Sequence, residues 1–178
     1  MLSKIFYYFF VIPISYLPLR ILYLISDFLY ILLILFIPYR KKVVRKNLIN
    51  SFPEKSLKEI KQIERKFYHH FTDLLVEGVK NLTISKKEVS KRLVVKNPEL
   101  MDDLYEKGKS VLLVSGHYNN WEWIITTQSN LFKHKAFGIG KPLTSTFWDK
   151  KINNLRSRFG MTVINANNLK ENLKNDKN

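Results

Sequence analysis

The amino-terminal part of the chain is dominated by apolar side chains. Ile21–Ile37 is an almost unbroken run of Leu, Ile, Phe and Tyr, and residues 5–19 form an earlier apolar run interrupted by two prolines. A membrane-spanning helix needs roughly 17–25 apolar residues. One central Asp costs about 2.5–3.5 kcal/mol, whereas each Leu, Ile or Phe contributes about 0.3–0.6 kcal/mol in favour of insertion. The thirteen such residues of the second run therefore outweigh Asp27. We predict that residues 1–39 anchor the chain in a membrane, as a spanning helix or as a hairpin broken at the prolines; a buried core helix of a soluble protein is the alternative.

A cluster of basic residues follows this run. It consists of Arg40, Lys41, Lys42, Arg45 and Lys46, and we call it the basic collar. The positive-inside tendency places the collar, and the domain after it, on the cytoplasmic side. Over the whole chain, thirty Lys and Arg stand against fifteen Asp and Glu, a net charge of +15. This excess favours a polyanionic partner, which is a nucleic acid, an anionic membrane or a phosphorylated substrate.

Downstream of the collar, the hydrophobic pattern predicts alternating helices and strands. Ser56 and Glu59 form a capping-box pattern, and apolar residues recur at helical spacing from Leu57 to about Val79. Further helices are predicted at 98–107, 121–131, 147–159 and from 169 onward. Short apolar runs predict strands at 93–95, 110–114, 135–140 and 161–164, the second of them buried on both faces. The alternation indicates an α/β fold with a mainly parallel or mixed sheet flanked by helices.

One histidine follows the carboxyl end of a predicted strand. His117 follows the predicted strand 110–114, and open α/β sheets bind ligands at the carboxyl ends of their strands. Glu122 comes five residues later, in the first turn of the next predicted helix, so the two side chains can meet across the turn. His117 would then be a general base, and the Glu122 carboxylate would stabilise its imidazolium. The spacing also fits a capping pair of Asn119 and Glu122 beside a turn histidine, and both interpretations stay open on spacing alone.

Other kinds of site find little support in the sequence. The chain has no cysteine, and its four histidines are not in a metal-ligand spacing, so we expect no metal site and no cofactor. The Lys and Arg residues are spread along the chain and no recognition motif is present, so a nucleic-acid partner is not expected.

A set of ordered motifs resembles one enzyme family over nearly the whole chain. Residues 115–122 read Ser-Gly-His-Tyr-Asn-Asn-Trp-Glu and are similar to the H-x4-D/E block of glycerolipid and lipid A acyltransferases. Four further segments look like neighbouring blocks of the late acyltransferases of lipid A biosynthesis: 40–48 with 51–54, 67–70 with Glu77, 141–142, and 154–160.

The resemblance implies a reaction and roles for individual residues. An acyl chain would pass from acyl carrier protein, or from acyl-CoA, to a hydroxyl of the lipid A precursor, which is an anionic glycolipid. The reaction would take place at the bacterial inner membrane, with the catalytic domain on the cytoplasmic side. His117 would deprotonate the hydroxyl and Glu122 would orient His117. Arg156 or Arg158 would hold a phosphate or the developing oxyanion. Lys141 and Asn120 are the weaker candidates for substrate contacts.

The resemblance also predicts an incomplete chain. The family continues with further strands and an Asp-Gln-containing block, whereas this sequence ends at Asn178. We therefore expect a membrane-anchoring segment at 1–39, and at 40–178 the first part of an acyltransferase domain whose sheet is incomplete at its carboxyl end. Two alternatives remain: an acyltransferase for another lipid acceptor, such as a lysophospholipid or glycolipid, and a non-catalytic, membrane-associated remnant.

Overall fold

The computed structural model describes residues 2–37 and 39–169. Within this part of the chain, residues 8–80 form one compact unit, and residues 2–7 with 81–169 form the other. The helices are α1 (Leu2–Phe6), a π-helix (Tyr7–Val11), α2 (Ile12–Tyr16), α3 (Leu19–Leu35), α4 (Lys41–Ser51), α5 (Leu57–Lys80), α6 (Lys86–Arg92), α7 (Pro98–Glu106), α8 (Trp121–Leu131), α9 (Thr146–Ser157) and a 3-10 turn (Ala166–Asn168). The strands are β1 (Phe137–Gly140) and β2 (Thr162–Asn165).

Helix α5 is the centre of the unit formed by residues 8–80, and α2, α3 and α4 pack against it. Its first turn carries the predicted capping box: the Ser56 amide donates to Glu59 Oε2 at 2.9 Å, and the Glu59 amide donates to Ser56 Oγ at 3.3 Å. The buried residues of α5 follow one another every fourth position: Ile60, Glu64, Tyr68, Thr72, Val76 and Lys80. The predicted helix is therefore confirmed, but its inner face alternates apolar and polar side chains, while Leu57 and Phe67 of the apolar pattern are exposed.

The polar side chains of α3 face α5. Three pairs join the two helices: Tyr23 Oη donates to Glu77 Oε1 at 2.6 Å, Ser26 Oγ donates to Asp73 Oδ1 at 2.6 Å, and His69 Nε2 lies 2.9 Å from Asp27 Oδ1. Asp27, whose charge opposes membrane insertion, thus has a partner on a neighbouring helix. The hydrogen bond to Asp73 offsets most of the cost of burying the Ser26 hydroxyl, whereas the Asp27 side chain stays 54% exposed.

The outward face of α3 is apolar. Its exposed large side chains recur at intervals of three and four residues, and we call them the α3 stripe: Ile21, Leu24, Phe28, Ile31 and Leu35. A soluble amphipathic helix has the opposite arrangement, with its apolar face toward the core. No helix in the described part of the chain is both long enough and apolar enough to cross a membrane, so the predicted spanning helix is not supported.

The other unit contains the sheet. β1 and β2 pair in parallel, with Phe137 opposite Thr162 and Gly140 opposite Asn165. The strands predicted at 135–140 and 161–164 are therefore confirmed, and α9 between them makes the crossover that a parallel pair requires. Helices α8 and α9 pack together, and α9 also contacts β2. The sheet is small, so the α/β class is supported by two parallel strands in a mainly helical chain.

Two predicted strands are wrong. Residues 93–95 and 110–114 have no strand structure, and the side chains of Leu112 and Val114 are 85% and 82% exposed. A short apolar run does not by itself supply the hydrogen-bonding neighbour that a strand needs, and among the described residues β1 is paired only with β2. The segment 110–114 instead lies beside β1 as the wall of a cavity, described below.

Candidate functional site

The loop that carries His117 is held at its carboxyl end by a helix cap. Asn119 has a left-handed backbone (φ 52°), and the next residue, Asn120, accepts a hydrogen bond at Oδ1 from the Trp123 amide at 3.3 Å. Helix α8 therefore starts at Trp121, as predicted, but its cap is Asn120 and not Asn119. This geometry corrects the capping pair of Asn119 and Glu122, and leaves the Glu122 side chain available for another contact.

The His117 imidazole lies at the surface. Its ring centroid is 4.7 Å from that of Trp121 at an interplanar angle of 51°. Trp121 is the first residue of α8, so the ring contact holds the imidazole near the amino end of that helix. A substrate hydroxyl can reach the imidazole from solvent, because the side chains from Val114 to Asn119 are exposed.

The Glu122 carboxylate is bound by an arginine. Arg156 on α9 donates from Nε to Oε2 at 3.1 Å and from Nη2 to Oε1 at 2.5 Å. The two side chains are only 24% and 26% exposed, which makes this a partly buried ion pair with a two-pronged geometry. In the described structure Glu122 has no hydrogen bond to His117, so the pairing of those two residues stays a prediction.

The two candidate arginines have different surroundings. The Arg158 guanidinium donates to the backbone carbonyls of Asn81 and Ile84, the latter at 2.7 Å, and lies 4.4 Å from the ring centroid of Phe159. Burial lowers the pKa of Arg158. Its bonds go to the protein backbone, which favours a structural part for Arg158 over contact with a substrate.

Two predicted substrate-contact residues remain, Asn120 and Lys141. Asn120 is the α8 cap, and Lys141 is exposed in the loop after β1. Among the described residues, no group of three or more His, Asp or Glu side chains is placed to hold a metal ion.

A cavity of about 500 Å³ opens beside this loop, and no local motif predicts it. Its walls are the segment 111–115, parts of α8, and both strands. Most lining side chains are apolar, among them Leu113, Ile125 and Met161. The polar ones are Ser115, Gln128, His134, Lys135 and Arg156. The volume lies within the roughly 300–1,000 Å³ that is usual for small-molecule sites. The cavity therefore joins an apolar space to the Glu122–Arg156 pair.

Comparison with known proteins gives one match. A sequence model of the family described as bacterial lipid A biosynthesis acyltransferase matches residues 2–178. Searches of curated proteins and of solved structures found no match.

Proposed function

Because the chain belongs to the family of bacterial lipid A biosynthesis acyltransferases, we propose that it transfers a fatty acyl chain to a hydroxyl of a lipid A precursor, with His117 as the general base. The match to the family over residues 2–178 carries this proposal. It is supported by an imidazole that is exposed to solvent. It is also supported by a mostly apolar cavity whose lining includes Ser115, two residues before His117.

The reaction needs one base and one activated acyl group. His117 accepts the proton of the acceptor hydroxyl as the hydroxyl oxygen attacks the thioester carbonyl of the donor, which is acyl carrier protein or acyl-CoA. The new carbon–oxygen bond forms and the carbon–sulfur bond breaks, and the thiolate takes the proton back from the imidazolium. Glu122 stabilises that imidazolium through its negative charge. A positioned general base contributes roughly 10²–10⁴-fold to such a rate.

The cavity fits the apolar part of the substrates. Its side chains, including Leu113, Phe132 and Met161, offer an acyl chain an apolar environment. Burying each methylene of such a chain is worth about 0.8 kcal/mol. We propose that the acyl chain enters here, which places its carbonyl end toward the loop that carries His117.

We further propose that residues 1–39 attach the protein to the inner membrane, with the acyltransferase domain (40–178) on the cytoplasmic side. The α3 stripe supports this proposal, because an exposed apolar helix face marks a surface that contacts lipid or another protein. The basic collar favours lipid, since anionic head groups attract basic side chains by about 1 kcal/mol each near the surface.

Mass spectrometry of the reaction products tests the function. The protein, in vesicles containing a lipid A precursor, is incubated with acylated carrier protein, and in a parallel reaction with acyl-CoA. We expect the precursor to gain one acyl chain. Lysophospholipid and glycerol phosphate serve as rival acceptors, and acylation of either one in preference to the precursor would contradict the proposed substrate. No acylation of any acceptor would contradict the proposed activity.

A further inference from the structure

The Glu122–Arg156 pair occupies one of the two edges with which an arginine can bind an oxyanion in a two-pronged way. Nε and Nη2 form the side-on edge of the guanidinium, and both nitrogens donate to Glu122. A phosphate that bound to Nε and Nη2 would have to displace Glu122. The Glu122 carboxylate, which is about three-quarters buried, would then be left without its cation. The side-on edge of Arg156 thus binds a protein carboxylate in this structure.

Glu122 keeps the capacity for a second partner. A carboxylate has about four lone-pair positions on its two oxygens, and Arg156 takes one on each. The remaining positions can accept an imidazole N–H. Because both oxygens are tied to α9, the carboxylate plane is fixed, whereas a glutamate without a partner would sample several rotamers.

The arginine also lies close to the end of a strand. A Cβ atom at Gly140, the last residue of β1, would lie 3.8 Å from Arg156 Nη1, so the guanidinium is near the end of the strand. The guanidinium thus links the start of α8, the end of α9 and the end of β1.

We propose that Arg156 is a positioning residue: it acts through Glu122, whose carboxylate it aims at His117, and it does not bind the substrate. The inference rests on the proposed function, because it assigns Arg156 a part in the same reaction. It replaces the role of phosphate or oxyanion holder that the family resemblance suggested for this residue.

A double-mutant cycle separates positioning from substrate binding. Arg156→Gln, Glu122→Gln and the double variant are compared with wild type for kcat and for KM of the lipid A precursor. If Arg156 acts through Glu122, Arg156→Gln lowers kcat by on the order of 10-fold with KM nearly unchanged. The double variant is then no slower than Glu122→Gln alone, because residues that work as a unit are not additive. A raised KM, with losses that multiply in the double variant, would show that Arg156 binds substrate and would overturn the inference.

Two further variants separate positioning from a purely structural role. Lys150 is an exposed cation on the same helix, and Lys150→Gln removes one charge from α9 without touching Glu122; we expect it to keep wild-type kcat. The exchanged pair Glu122→Arg with Arg156→Glu restores opposite charges in reversed order. We expect it to recover thermal stability lost in the single variants but not transfer, since no carboxylate then stands at position 122. Recovery of both would show that the pair is only structural, and would refute the inference.

The cycle also distinguishes this inference from the proposed function. A wild-type chain that transfers no acyl group contradicts the proposed function, and the inference falls with it. An active chain in which the two substitutions act independently contradicts the inference alone.

Discussion

The α3 stripe makes a quantitative prediction about membrane attachment. Leu24 and Phe28 lie next to each other along its centre, and their side chains are 64% and 59% exposed. Full burial of a Leu or Phe side chain is worth about 1.5–3 kcal/mol, so burying the exposed portion is worth about 1–2 kcal/mol for each residue. Replacing both with Gln therefore removes about 2–4 kcal/mol of attraction to lipid, which is a loss on the order of 100-fold in the partition coefficient.

The substitutions leave the fold intact on physical grounds. Gln is nearly as good a helix former as Leu, and the polar pairs that join α3 to α5 lie on the other face of the helix. The matched control is Leu57→Gln, because Leu57 is 68% exposed in the same unit but lies outside the stripe.

Flotation with vesicles of mixed neutral and anionic phospholipid measures the partition directly. We expect Leu24→Gln/Phe28→Gln to stay with the soluble fraction at lipid concentrations where wild type and Leu57→Gln float. Wild-type flotation of the double variant would refute the assignment of the stripe to lipid contact. An equal loss in Leu57→Gln would show that general surface hydrophobicity, and not this face, drives binding.

Two further predictions concern stability. The Glu64 side chain is 5% exposed and accepts hydrogen bonds from Arg45 Nε and Nη2 at 2.7 and 3.0 Å, a pair that raises the pKa of Arg45. Glu64→Gln should lower the free energy of unfolding in urea by about 1–3 kcal/mol, which is less than for a fully buried pair because Arg45 is partly exposed. An unchanged free energy of unfolding would contradict this prediction. In the capping box, hydrogen bonds from the Ser56 side chain and amide lower the pKa of Glu59. The ionised Glu59 therefore stabilises the fold at pH values above its unfolded-state pKa of about 4.3. This stabilisation is lost as the pH falls through the pKa that Glu59 has in the folded state. Ser56→Ala should therefore weaken the acid dependence of unfolding between about pH 7 and about pH 3, and an identical pH profile would show that the box does not contribute.

Local signals in the sequence were sufficient for several elements. The helix Trp121–Leu131 was predicted with its observed ends, because apolar spacing and a polar residue before the first turn act over a few positions. The Ser56 capping box was predicted for the same reason. The cap of α8 was misplaced by one residue: Asn119 and Asn120 are equally suitable side chains, and the left-handed backbone at Asn119 decides between them.

Features that depend on distant residues could not be predicted. The run 110–114 has the composition of a buried strand, but a strand exists only if a neighbour pairs with it. Asp27 looked costly because its partner, His69, is 42 positions away. The link between Glu122 and Arg156 spans 34 positions, and nothing in either local motif indicates it. The sequence thus suggested which residues belong to the site but not which of them touch.

The central claim is that the imidazole of His117 removes the proton of the acceptor hydroxyl. The most direct test compares the transfer rates of His117→Ala and His70→Ala with that of wild type, using the lipid A precursor and the same acyl donor. His70 is an exposed histidine on α5 and serves as the matched control. We expect His117→Ala to lose on the order of 100-fold or more in kcat, the range of a positioned general base, and His70→Ala to keep the wild-type rate. Wild-type transfer by a folded His117→Ala protein would contradict the claim.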